Sequence, residues 1–140
     1  SLYGGFALAN AGLGVVHGFA GVVGGMFKAP HGAICAALLP QAMAMNRAAL
    51  QARAPGSPMA GRYDEIARLL TGRAEARAED GVEWVRELTA ALGVPTLGAC
   101  GVGPSDIPLI VERAAVASGT KTNAIELTRD ELAEILAGSI

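Results

Sequence analysis

The polar residues of this chain are spaced in two unlike ways. From Ser1 to Phe27 there is no charge, and Asn10 and His17 sit within a run of glycine, alanine and aliphatic residues. From Met59 onward, apolar positions recur at helical spacing and charged residues fill the gaps. Tyr63, Ile66, Ala67 and Leu70 form one such stripe, and Val82, Val85, Leu88 and Leu92 a second. Ile107, Ile110, Val111 and Ala114 form a third, and Leu132, Ile135 and Leu136 a fourth. No segment alternates with the period of two that a half-buried strand requires.

Start and stop residues bound these stretches. The first helix is expected from Gly5 to about Ala20, with a break in Gly21 to Pro30, which carries three glycines and a proline. Pro30 disfavours helix for Ala29 and suits the first turn of a second helix, His31 to about Leu50, with a bend expected at Pro40. "ARAPGSP" is a loop in which Ser57 caps and Pro58 opens the next helix, and Gly72 ends it. A helix over Ala74 to Leu92 follows, closed by Gly93, and "GVPTLGACGVGP" is a long connection. Ser105 is placed as a further cap. Thr128-Arg129-Asp130-Glu131 has the capping-box pattern, in which Thr128 and Glu131 satisfy each other's backbone donors. The expectation is an all-α domain of at least five helices, with no sheet of three or more strands.

Charge sharpens that picture. All 13 acids lie from Asp64 onward, while the first 63 residues carry only Lys28, Arg47, Arg53 and Arg62. The two apolar helices should therefore be central and the acidic helices outside. At 140 residues the chain is expected to form one domain, and its hydrophobic content of 51% with only 4% aromatic suits closely packed small-residue helices. A net charge of −2 gives no reason to expect nucleic acid or an acidic membrane surface as partner. The uncharged 27-residue run is long enough to cross a bilayer, and Gly14-x-x-x-Gly18 matches a membrane packing motif. Its eight glycines, with Asn10 and His17 inside it, favour a buried central helix instead. Cys35 and Cys100 form no disulfide framework, which points to a reducing, cytoplasmic compartment. The apolar run around Cys35 reads as inert.

The candidate chemistry lies in the only two histidines, His17 and His31. On one unbroken helix, fourteen residues would hold them ~21 Å apart along the axis, too far for one ion. If the chain reverses in the glycine-rich segment they converge, with His31 at a helix N-terminus, a position that keeps an imidazole available as a ligand. Two imidazoles are half a site for a divalent transition metal, since the first 63 residues offer no carboxylate. Taken singly, each histidine reads first as a buried residue satisfied by a backbone carbonyl. Gly12, Gly14 and Gly18 do not fit the G-x-G-x-x-G nucleotide fingerprint, and no Ser-His-Asp or Cys-His nucleophile set is visible. A catalytic residue is therefore not assigned.

The segment "NAGLGVVHGFAGVVGGMFKAPHGAICAALLP" resembles the histidine-bearing part of iron-containing (group III) alcohol dehydrogenases, of the glycerol dehydrogenase-like superfamily. The similarity continues through "RYDEIARLLTG", "DIPLIVERA" and "NAIELTRDELAEIL". The resemblance implies that residues 1–140 correspond to the helical C-terminal domain, without the N-terminal α/β domain that binds NAD or NADP. It implies a divalent metal, iron or zinc, with His17 and His31 as two of its ligands and an aspartate and a further histidine upstream of this chain. Many relatives carry a histidine four residues after the first of these ligands, tied to the proton path; here that position is Gly21. The implied reaction interconverts an alcohol and an aldehyde or ketone. Implied partners are the cofactor domain, a small alcohol or carbonyl substrate, and further copies in a homo-oligomer, with no nucleic acid and no membrane. The chain alone is expected to be inactive. Two other readings stay open: a divergent superfamily member with another activity or none, and a helical interaction module whose histidines are merely buried.

Overall fold

Glycine and proline divide the apolar half of the chain into three helices rather than two. The computed structural model describes residues 2–140, among which there are eight α-helices, two short 3-10 turns and no strand. The first helix, α1 (Leu2–Ala11), stops at Gly12, whose φ of +71° is open to glycine but strained for other residues. The chain then turns through 102° into α2 (Val15–Met26). The expected single helix from Gly5 to Ala20 is thus two, and the uncharged run is no straight span. The second break falls at Phe27 to Pro30, with Phe27 and Pro30 extended, and α3 (His31–Arg53) begins at the expected residue. It continues through Pro40, which is buried inside it.

The remaining helices follow their caps. Ser57 Oγ accepts the Met59 N–H at the start of α4 (Pro58–Thr71), and Gly72 ends that helix in the left-handed region. The next helix, α5 (Ala78–Ala91), starts four residues later than expected, where the Asp80 carboxylate accepts the Arg77 N–H. Ser105 does not cap. It lies in a 3-10 turn, Pro104–Asp106, where Asp106 accepts the Gly103 N–H, and α6 (Ile107–Val116) follows directly. The sequence pattern missed α7 (Ser118–Lys121), a single turn without an apolar stripe. Thr128 and Glu131 form the expected reciprocal box at the start of α8 (Arg129–Ala137).

The centre of the bundle is α2 packed on α3. The α4–α5 pair lies against α3, α6 and α7 lie against α2, and α8 packs on α3 and α6. The core joins Val15, Phe19 and Val23 of α2 to Ile34 and Leu38 of α3, Ile110 of α6, and Ile135 and Leu136 of α8. Burying such a side chain fully contributes roughly 1.5–3 kcal/mol. Leu97 and Val102, in the long connection, join this core. Among the described residues no acid is buried, so the acidic helices do lie outside. The stripe expected on α5 is shorter than its spacing suggests: Val82 and Val85 are buried, whereas Leu92 is 70% exposed.

The first helix departs from expectation. It is apolar all round, yet none of its residues is buried, and Leu2, Tyr3, Phe6 and Leu8 are all exposed. The central pair is α2 and α3, not the helix that opens the chain. By length and apolarity alone α3 could cross a bilayer; it lies in contact with α2, α4, α5 and α8.

Candidate metal centre

The reversal at Phe27 to Pro30 brings the two histidines together. His17 is the third residue of α2 and His31 the first of α3. Their ring centroids are 5.4 Å apart with the planes inclined at 52°. One donor atom from each of His17, His31 and Cys35 lies within 4.8 Å of the other two. Both imidazoles are exposed and Cys35 is half-buried. The histidines therefore share one surface site and do not sit in separate interior pockets.

Cys35 is the group that sequence reasoning passed over. Its Sγ lies 3.5 Å from His31 Nε2. The signal was present: His31 and Cys35 are four residues apart on one helix, so their side chains share a face. The apolar neighbours that suggested an inert thiol occupy the other faces of α3, where Ile34 and Leu38 enter the core. Burial pushes the Cys35 thiol above its ordinary range, so without an ion it is protonated at neutral pH. The three-donor cluster contains no carboxylate.

A mostly apolar groove of about 500 Å³ runs beside the cluster, lined by His17, Cys35, Leu39, Met43, Asn46 and Tyr63 among others. Burial pushes the Tyr63 phenol up, with the nearby Asn46 amide acting the other way. At the base of the groove Asn46 pairs with Asn123 and so ties α3 to the turn before α8. Neither asparagine stood out in the sequence. One turn beyond His17, Gly21 is exposed, and a Cβ added there would meet nothing within 4 Å. The space one turn beyond His17 is thus open in this chain.

Residues 1–140 match the family described as the Fe-containing alcohol dehydrogenase family, C-terminal. The chain belongs to this family. Lactaldehyde reductase of Escherichia coli K12 is 32% identical over 137 residues, covering 94% of this chain and 34% of the relative. The 1,3-propanediol dehydrogenase of Citrobacter freundii is 30% identical over 141 residues, covering 96% of this chain and 34% of the relative. Among solved structures, a 1,3-propanediol oxidoreductase superposes with a TM-score of 0.83 at 28% identity, over 97% of this chain and 35% of that one. An iron-containing alcohol dehydrogenase from Thermococcus thioreducens gives 0.74 at 30% identity, over 96% and 34%. The chain spans about a third of the length of the relatives it matches. Membership of the iron-containing alcohol dehydrogenase family agrees with the all-α architecture and with the resemblance carried by the histidine segment.

Proposed function

We propose that this chain is the metal-binding helical part of an NAD(P)-dependent alcohol dehydrogenase, with His17 and His31 as two ligands of a divalent ion. The observation that carries this reading is the convergence of two imidazoles, fourteen residues apart in sequence, to donor atoms within 4.8 Å. Imidazole donors suit iron and zinc alike, so the donor set fits the group that the family name implies. The exposure of both rings speaks against the alternative in which each is a separately satisfied interior residue.

The chemistry such an ion supplies is Lewis-acid polarisation of an alcohol or carbonyl oxygen, while the nicotinamide carries the hydride. The residues of this chain hold and orient. His17 and His31 each offer a ring nitrogen and act as ligands, not as proton-transfer groups. Leu39 and Met43, in the adjoining groove, offer an apolar wall suited to a small alcohol or carbonyl compound and to the exclusion of water. Gly21 supplies no imidazole one turn beyond His17, so a proton leaving the alcohol must travel by another route than a histidine at that position.

In the complete dehydrogenase, His17→Ala or His31→Ala is expected to lower metal content and turnover together. Full metal occupancy in both variants would overturn the reading. The 140 residues alone are expected to bind metal weakly and to turn over no alcohol, because the cofactor domain is a required partner. A reducing, cytoplasmic location is part of the same proposal and agrees with Cys35 and Cys100 being free thiols.

A further inference from the structure

We infer that Cys35 is a third donor from this chain to the same ion, beside the ligands that the resemblance places upstream, which gives the residues present here a His-His-Cys set with a preference for thiophilic metals. The inference rests on the His17–His31 reading above and adds a donor to it.

The geometry is that of a coordination edge. A metal–nitrogen bond of ~2.0–2.1 Å and a metal–sulfur bond of ~2.3 Å that meet near the tetrahedral angle place nitrogen and sulfur about 3.6 Å apart. Cys35 Sγ and His31 Nε2 are 3.5 Å apart. All three donor atoms lie within 4.8 Å of one another, so His17 approaches the same point as the His31–Cys35 pair. His31 and Cys35 are held at this spacing by one turn of α3, and His17 approaches from α2, so the three donors come from two elements locked by the core.

The chemistry follows from the donor types. Two imidazoles bring no charge to a dipositive ion; coordination of Cys35 releases the thiol proton to solvent and leaves a thiolate, which offsets one of the two charges. Thiolate is a soft ligand and favours Zn²⁺ over Mn²⁺ more strongly than imidazole or oxygen donors do. The cysteine therefore bears on which metal this family member retains. It also exposes a route to inactivation, since alkylation of one sulfur would remove a ligand.

The test uses the untagged 140-residue chain, with Co²⁺ and Zn²⁺ as probes. Co²⁺ should produce sulfur-to-cobalt charge-transfer absorption in the near ultraviolet, and Cys35→Ala and Cys35→Ser should abolish it. Saturating Zn²⁺ should slow iodoacetamide alkylation of Cys35 about tenfold or more and leave Cys100, outside the cluster, unchanged as an internal control. Cys35→Ala should weaken Zn²⁺ binding at least about tenfold, the low end of what loss of even an outer-shell partner costs, and Mn²⁺ binding by less. Circular dichroism checks that each variant keeps its helices. Co²⁺ bound through His17 and His31 without the charge-transfer band and without protection of Cys35 would overturn the thiol ligand and leave the histidine site standing. A band that survives loss of both histidines would overturn the three-donor site. In protein that keeps its helices, Co²⁺ and Zn²⁺ in large excess that give neither the band nor protection of Cys35 would overturn the thiol ligand. The histidine reading, which expects only weak binding by these 140 residues, is judged by the metal content of His17→Ala and His31→Ala in the complete dehydrogenase.

Discussion

Asn46 and Asn123, 77 positions apart, exchange two side-chain hydrogen bonds: Asn123 Nδ2 donates to Asn46 Oδ1 at 2.6 Å, and Asn46 Nδ2 to Asn123 Oδ1 at 3.3 Å. The same Asn123 Oδ1 accepts the Val15 N–H at 3.1 Å. That donor is one of the first amides of α2, which have no partner inside their own helix. Gly14, at the N-cap, supplies no side chain to meet it. Asn123 thus caps α2 from the far end of the chain and, two residues before His17, fixes where the histidine-bearing helix starts.

Asn123→Ala should therefore destabilise the fold and loosen the metal site together. It leaves the Val15 N–H and the Asn46 amide without a partner, at about 1–3 kcal/mol for each group stranded in the interior. Asn46→Ala should act through the same pair. The double variant should then fall short of the sum of the single losses by about 0.5–3 kcal/mol. Urea unfolding of the four proteins measures this cycle. Strict additivity would mean that the two amides act independently.

Glycines on α2 and on the helix packed against it should respond in opposite directions. A Cβ on Gly119 of α7 would lie 3.0 Å from Gly18 N and 3.3 Å from Gly14 O, both backbone atoms that cannot swing aside. Gly119→Ala should cost about 1–3 kcal/mol as an overpacking change. Gly21 faces open space within an exposed helical turn, so Gly21→Ala should gain roughly 0.5–1 kcal/mol. Thermal unfolding of both variants is sufficient. A stabilised Gly119→Ala would show that α7 can lift away from α2 at little cost.

Local signals made much of this fold legible before any coordinates. Ser57, Gly72 and the Thr128–Glu131 box mark helix ends because their effects act within a few residues. The acid-free first part marked the centre of the bundle only in part: α2 and α3 are central, whereas α1, equally free of acids, is exposed. What escaped was set by distant partners. The break at Gly12 to Gly14 is held by Thr122 and Asn123, since Thr122 Oγ1 both accepts the Leu13 N–H and donates to the Leu13 carbonyl. No window of neighbouring residues contains that information. Ser105 falls inside a 3-10 turn that already starts at Pro104, and it is Asp106 that bonds back to the Gly103 N–H ahead of that turn. Of the candidate site, the two histidines were legible from their rarity and glycine-proline setting. Cys35 was not, because it shares its apolar run with Ile34 and Leu38 of the core and packs against that core itself while its sulfur lies beside His31.

Acid should destabilise the bundle through two carboxylates. A hydrogen bond from Arg53 chiefly, then the Thr128 N–H and the Arg53 charge, hold the Glu131 carboxyl below its ordinary range. The Arg77 N–H, then Arg73, does the same for Asp80. A carboxyl lowered in the folded state binds protons more readily when unfolded, so stability falls as pH falls. The contribution is complete above the unfolded values of about 4 and is lost as pH drops through them toward the folded values. Urea midpoints between about pH 6 and pH 3 should decline less steeply for Glu131→Gln than for the parent. Thr128→Ala should cost about 1 kcal/mol at neutral pH, the usual effect of losing such a cap. An unchanged pH slope in Glu131→Gln would remove the Arg53–Glu131 contact from the account.

The exposed first helix should drive self-association of the 140-residue chain. Helices that are apolar on every side are ordinarily enclosed, yet Tyr3 is 86% exposed and Phe6 56%. Leu2 and Leu8 extend the same surface, and no charged side chain within the helix interrupts it. Contiguous apolar surface of this kind lowers its free energy in water by meeting a like surface, and a second copy supplies one. Light scattering across a concentration series should report species larger than a monomer. Phe6→Asp together with Leu8→Lys should return the chain toward the monomer, with its helix content reduced by no more than the ten residues of α1. The bundle itself should survive, since none of α1 enters the core. A parent chain that stays monomeric at the highest concentrations would show that α1 in solution does not present the face seen here. Association that survives both substitutions would move the contact elsewhere, first to the apolar groove beside His17 and Cys35, where added Zn²⁺ should then alter it.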